Sequence, residues 1–223
     1  MHRPAKHRGR DAETARAAIL TAAEEHFARS GFTGARVDEI AAASGYNKSL
    51  IFHYFGDKLG LYRAAVGRCK AEIGAAIAPL LEPFVASDAP LDAAQVRRFT
   101  ESAVRWNFTY YLANPRVLRI LGWEMAEGWH AFSLRQTLGE ERPWLEGVRR
   151  LLHRAHDAGI IRHALDPDLL LANIMGMPLA YLLSIPRYQV FFPGADLTSD
   201  EALARAREQV VTLVLHGIMA ESG

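Results

Sequence analysis

Residues 37 to 55, VDEIAAASGYNKSLIFHYF, restrict the fold of this chain more tightly than any other stretch. Two short apolar-periodic segments flank a glycine, with Ala41, Gly45 and Ile51 at set offsets. Two helices that cross at close range need a small residue at the crossing, and Ala41 supplies it. The turn between them needs a left-handed backbone, which glycine adopts at little cost, and Gly45 stands there. Val37, Ile40, Ile51 and Phe55 plug the small core beneath. This pattern is a helix-turn-helix, whose second helix can lie in a DNA major groove.

The outward positions are Asn47, Lys48, Ser49, Leu50, Phe52 and His53. A recognition helix reads base edges mainly from its N-terminal residues. Lys48 can donate to guanine O6/N7 or to phosphate, and Leu50 can touch a thymine methyl. Asn47, Ser49, Tyr54 and Lys58 suit phosphate, which positions without specifying. The start of the fourth helix adds backbone N–H groups beside Lys58. A helical hairpin that merely packs satisfies the same spacing, so the flanking residues must decide.

Charge places the basic excess with this motif. The net charge of the chain is only +1, but residues 1–63 hold ten Lys/Arg against seven Asp/Glu, and the remainder sixteen against eighteen. Cys69 is the only cysteine, which excludes an intrachain disulfide and fits a reducing cytoplasm. No apolar run follows the basic N-terminus, so a signal peptide is not expected. Nowhere are 18 apolar residues consecutive, so a membrane partner is not expected either.

The chain reads as all-α, with an N-terminal three-helix helix-turn-helix domain joined to a larger helical domain for ligand binding and dimerisation. Residues 1–10 are expected as a basic disordered arm carrying Arg3, Lys6, Arg8 and Arg10. Residues 11–57 are expected as the DNA-binding domain and 58–223 as the effector and dimerisation domain. The first helix runs to Ser30, with Gly31 stopping it. Helices start near Val37 and, capped by Asn47, near Lys48. Asp57 caps the fourth, and Pro83 to Pro90 is expected as loop. Later helices span about 92–113, 116–129, 142–157 and, after Asp166-Pro167, 167–184. Residues 130–141 and 185–198 read as irregular, and a last helix follows Ser199.

The first sixty residues resemble the N-terminal domain of the TetR family of bacterial transcriptional regulators. Ile19-Leu20, Ala22-Ala23, Phe27, Gly31-Phe32, Ile40-Ala41, Gly45, Phe55, Lys58 and Leu61 carry the likeness. The resemblance implies three N-terminal helices on a larger helical domain that binds an effector and dimerises. Two positions depart from the pattern. Arg36 stands where the family usually has Ser or Thr before the second helix; as a cation it still reaches phosphate. Phe52-His53-Tyr54-Phe55 replaces the frequent Tyr-x-His-Phe, so Tyr54 offers the hydroxyl instead.

The middle of the C-terminal region is rich in aromatics, and the resemblance places these helices around an effector cavity. Apolar walls with a few polar anchors suit a small molecule, which singles out Trp106, Tyr110, Trp123, Glu127 and Trp129. For any one of them, packing in the core is the plainer role. Glu124 and Glu127 share a helix face, where solvent exposure is expected. His153 and His156 have metal-ligand spacing, but the Arg150 and Arg154 around them argue for a solvated basic face, and no metal or other cofactor is expected. No nucleophile motif is present, so no catalytic residue is assigned. Leu170, Ile174, Met177 and Tyr181, with Val210, Leu213, Val214 and Ile218, form apolar stripes that suit either packing within the subunit or a homodimer through the last two helices.

These readings converge on a cytoplasmic, homodimeric repressor that binds a near-palindromic double-stranded operator and is released by a small apolar or aromatic ligand. The competing expectations are a helical enzyme, or a ligand-binding protein of this fold without specific DNA binding.

Overall fold

The structure is a computed structural model. It describes the backbone of residues 5–85, 90–129 and 142–220, and the side chains of 11–84, 90–129 and 144–220. Among these residues, nine helices follow in order: α1 (Ala5–Gly34), α2 (Val37–Ser44), α3 (Lys48–Phe55), α4 (Lys58–Val85), α5 (Ala93–Ala113), α6 (Pro115–Ala126), α7 (Arg142–Asp157), α8 (Pro167–Phe191) and α9 (Asp200–Ile218). The backbone of residues 5–10 belongs to α1.

Most helix starts follow from local chemistry. Asn47 Oδ1 accepts from the Leu50 N–H at 2.8 Å, satisfying a donor that the first turn of α3 leaves open. Asp57 does the same for Gly60 at 2.7 Å. Asp92 and Gln95 cap each other's backbone N–H at the start of α5, a full capping box. Asp166 accepts from Asp168 and Leu169 with Pro167 at the first helical position, and Ser199 accepts from Ala202.

Two helices outrun the sequence expectation. α4 continues through Pro79 and Pro83 to Val85, and α8 through Pro178 and Pro186 to Phe191. A proline removes one backbone donor and crowds the carbonyl four residues back. Pro79 and Pro83 free the carbonyls of Ala75 and Pro79, and both of those residues are exposed, so water can reach them. α6 stops earlier than expected: Gly128 and Trp129 take positive φ values of 79° and 61°, and the Trp129 N–H turns back to the Glu124 carbonyl. The expected irregular segment 130–141 lies outside the described residues.

The chain divides into two compact units, Met1–Glu72 with Pro115–Gly139, and Ile73–Asn114 with Glu140–Gly223. The expected border at 57/58 thus falls inside the first unit. The reason is α6, which packs on α1 and the first half of α4. The core of this unit holds Ile19, Ala23, Phe27, Ile40, Ile51 and Leu61, all buried. The second unit packs α5 against α8 and α9, and α7 against α8. Of the stripes on the last two helices, Leu170, Ile174, Val210, Val214 and Ile218 are buried within the subunit, whereas Leu213 points outward.

Candidate nucleic-acid interface

Gly45 takes φ 76°, ψ 12°, and its N–H closes α2 on the Ala41 carbonyl at 3.1 Å. An added Cβ at Gly45 would meet nothing within 4 Å, so its left-handed backbone, not lack of room, demands glycine. Ile51 and Phe55 anchor α3 inward. That leaves Arg36, Asn47, Lys48, Ser49, Phe52 and His53 exposed, with Leu50, Tyr54 and Lys58 half-buried at the edges. The eight side chains expected to face DNA thus all retain solvent access, and seven of them lie on α3, its cap and the first residue of α4.

Three of these cations and caps already have protein partners. Lys48 Nζ lies 3.0 Å from Asp38 Oδ1 on the first turn of α2, and 5.9 Å from the Phe52 ring centroid. Lys58 Nζ donates to the Thr33 carbonyl at 3.2 Å and sits over the Phe32 ring at 4.9 Å. It therefore ties the end of α1 to the start of α4. Asn47 Oδ1 accepts from the cap, and its amide N–H groups are the donors it can offer a phosphate. Arg36 makes no side-chain cap to α2. The ring of His53 lies against Tyr54, with centroids 5.5 Å apart.

Behind the reading helix, the first unit contains polar contacts that the sequence did not reveal. Glu24 of α1 is fully buried between Arg68 of α4 and Arg116 at the start of α6, and Arg116 also reaches Glu72 at 2.7 Å. The hydrogen bond from Arg68 to Glu24 holds that guanidinium above its usual range. Tyr62 donates to Glu124 at 2.6 Å, with its ring edge-on to Phe27 at 4.8 Å. Burial and the Glu124 carboxylate raise the Tyr62 phenol well above its ordinary value. Glu124 is fully buried, so the expected exposed acidic face is corrected: only Glu127 keeps partial access. Arg68 and Glu72 were visible as an i, i+4 pair, but nothing local announces a partner 92 residues away.

The expected effector residues divide between the units. Trp106 and Tyr110 stack on α5 in the second unit, with centroids 4.7 Å apart and planes 16° apart. Trp123, Glu127 and Trp129 belong to the first unit. The Trp123 indole lies against Gly31 and donates to the Ala28 carbonyl at 3.3 Å, which commits it to α1. His153 contacts Asp168 at 3.1 Å beside Arg149, and His156 packs edge-on against His163. Among the described residues no three His, Cys, Asp or Glu side chains gather as a metal site would require.

Comparison with known proteins agrees with this geometry. Residues 19–65 match the family model described as bacterial regulatory proteins, tetR family, and residues 98–214 match the tetracyclin repressor-like C-terminal domain. The HTH-type transcriptional repressor SCO4008 of Streptomyces coelicolor is 31% identical, over 91% of this chain and 97% of that one. The HTH-type transcriptional repressor NicS of Pseudomonas putida is 29% identical, over 95% of both. Among solved structures, the transcriptional regulator SCO4942 of Streptomyces coelicolor superposes with a TM-score of 0.62 at 25% identity, covering 92% of this chain and 98% of that one. A C-terminal match of this extent, joined to an N-terminal helix-turn-helix match with α3 outward, places the chain in the TetR family as a DNA-binding transcriptional regulator.

Proposed function

We propose that the protein is a homodimeric repressor that reads a near-palindromic operator with α3 and is released by a small apolar or aromatic effector. The observation that carries the reading is the split of α3 into an anchored side, Ile51 and Phe55, and an exposed side, Asn47, Lys48, Ser49 and His53. The names of SCO4008 and NicS, both transcriptional repressors, support repression. Two reading heads related by a two-fold axis would enter successive major grooves about 34 Å apart.

Lys48 and Leu50 are assigned to base edges. Arg36, Asn47, Ser49, His53, Tyr54 and Lys58 are assigned to positioning on the backbone. Trp106 and Tyr110, stacked on α5 within the second unit, form the aromatic wall assigned to the effector. The indole of Trp123 contributes through its packing on α1. An effector releases DNA only if it prefers one arrangement of the two heads over the other.

A gel-shift titration with the DNA flanking the protein's own gene tests this reading. Binding that survives excess nonspecific competitor supports it, and binding that competitor removes in proportion to its mass refutes it. Thermal-shift screening of aromatic and aliphatic acids, amines and phenols then identifies the effector class by a raised Tm and release of bound DNA.

A further inference from the structure

Trp144, near the start of α7, carries a buried indole N–H with no hydrogen-bond partner among the described residues. An indole nitrogen can only donate, and the large majority of buried donors find an acceptor. This one lies against Gly74 of α4, in the same compact unit: an added Cβ at Gly74 would be 3.3 Å from Trp144 Nε1. Inside a helix glycine is less stable than alanine, but alanine here would crowd the indole nitrogen. The glycine thus keeps space open beside an orphaned donor. A trapped water would need two or more polar partners, and the backbone at Gly74 is engaged in its own helix.

Spacing along two helices brings an aromatic wall to the same level. Gly74, Ile77 and Phe84 share one side of α4, at offsets of three and ten. Phe84 meets Phe99 of α5 edge-on, with ring centroids 5.6 Å apart. Phe99, Ala103, Trp106 and Tyr110 share one side of α5, at offsets of four, seven and eleven. α4 ends close to this ring contact and α5 begins close to it, so both helices extend from it. Gly74 stands about 15 Å back along α4 from Phe84, and Tyr110 about 16 Å on along α5 from Phe99. There Trp106 and Tyr110 stack nearly parallel and half-buried, offering flat apolar rings.

We infer that the Trp144 N–H and the Trp106–Tyr110 pair bound one ligand site, and that its occupant is a flat aromatic molecule with a hydrogen-bond acceptor, a ring nitrogen or carbonyl oxygen, at its edge. This rests on the effector reading above and names the chemical class. The rings hold any flat apolar body of the right size through burial and stacking. The indole N–H then chooses between bodies of equal shape: an acceptor pairs it, and a C–H edge leaves it orphaned. The choice is steep because a buried bond left unmade costs more than a made one gains.

The test uses the full chain and three bicyclic probes of one shape, with binding read by equilibrium dialysis at about pH 8. Naphthalene has no acceptor, whereas quinoline and isoquinoline each carry one ring nitrogen at a different edge position. One of the two nitrogen probes is expected to bind at least about fivefold tighter than naphthalene, the worth of one hydrogen bond, and to release bound DNA. Trp144→Phe keeps a ring and loses the N–H. It is expected to bring that probe down to the affinity of naphthalene, with naphthalene itself changed by less than about twofold. Gly74→Val fills the space beside the indole and is expected to weaken all three probes alike. Trp144→Phe decides the matter if Gly74→Val does not fold. Equal binding of the three probes by the wild-type chain overturns the acceptor class and leaves an aromatic effector standing. A nitrogen preference that survives Trp144→Phe overturns the assigned donor. Absence of binding by any probe overturns the site, and release of DNA by another compound then keeps the effector reading. The expected nitrogen preference without release of DNA supports the site and overturns its role as the effector site.

Discussion

Lys48 Nζ and Asp38 Oδ1 lie 3.0 Å apart, joining the first residue of the reading helix to the first turn of the helix that supports it. Both side chains are well exposed, so the pair itself contributes little to stability. In the proposed reading its effect falls on DNA binding, because a carboxylate beside Lys48 repels phosphate and restrains the cation. Asp38→Asn is expected to strengthen binding to arbitrary DNA several-fold and to lower the ratio of operator to nonspecific affinity. Lys48→Ala is expected to cost about 1–3 kcal/mol on the operator and relax preference at one base position. Gel shifts against operator and scrambled DNA at two salt concentrations check both. Unchanged ratios in both variants remove Lys48 from the base readers.

Lys58 has a double attachment, to the Thr33 carbonyl and the Phe32 ring. Lys58→Ala is expected to lower affinity for every sequence alike and to flatten the salt dependence by about one unit of slope. Lys58→Met keeps an unbranched apolar side chain of similar length beside Phe32 and loses the charge. It is expected to match Lys58→Ala in DNA binding while retaining more of the wild-type Tm. Equal Tm losses in the two variants argue that the ammonium, not the stem, holds α1 to α4.

Glu24 is fully buried and holds two guanidinium groups, each partly open to water. Removing one member of a buried ion pair typically costs about 3–5 kcal/mol because the remaining charge loses its partner. The partial hydration of Arg68 and Arg116 favours the lower end of that range. Glu24→Gln is therefore expected to lower stability by about 3 kcal/mol, read as a fall in denaturation midpoint at unchanged slope. A fall of less than about 1 kcal/mol indicates that water replaces the carboxylate readily.

Cys69 and Tyr111 are both pushed up to about 12 by burial, from ordinary values of 9.0 and 10.0. Their folded values exceed their unfolded ones. The stability linked to them is thus fully present below about pH 9 and is lost as the pH climbs toward 12. The native protein is expected to resist thiol reagents at pH 8 and to react once unfolded in urea. Its Tm is expected to fall steeply above pH 9, and less steeply in Cys69→Ala. Rapid labelling of the folded chain at pH 8 contradicts the buried placement of the thiol.

The parts of the fold legible in the sequence are those set by neighbours along the chain. Asn47, Asp92, Asp166 and Ser199 announce their helices because a side-chain acceptor a few residues from open N–H groups is a local matter. The outward face of α3 was legible for the same reason, since Ile51 and Phe55 repeat at helical spacing. Pro83 and Pro186 misled, because a proline marks a lost hydrogen bond but not the end of a helix. The placement of α6 was not legible at all. Glu24 with Arg116, and Tyr62 with Glu124, join residues 92 and 62 positions apart, and only the folded chain brings them together. For that reason the packing of the Trp123 ring on α1 was not legible either.

That commitment centres on Gly31, which bends α1 with φ 66° and ψ −176°. This region of backbone space is open almost only to glycine, and other residues lose about 1–3 kcal/mol there. A Cβ at Gly31 would also lie 2.8 Å from Trp123 Cδ2, a distance at which something must move. Gly31→Ala therefore combines backbone strain with overpacking against the helix that α1 carries. It is expected to lower the Tm and to weaken operator binding, because the turn after Gly31 leads directly into α2. Trp123→Ala alone is expected to destabilise through lost burial and the lost hydrogen bond to Ala28. In the Gly31→Ala, Trp123→Ala double variant the clash has no partner, so the combined loss is expected to fall short of the sum of the two single losses by about 1 kcal/mol or more. Denaturation of all four proteins measures this coupling, and strict additivity means that the ring and the glycine do not constrain each other.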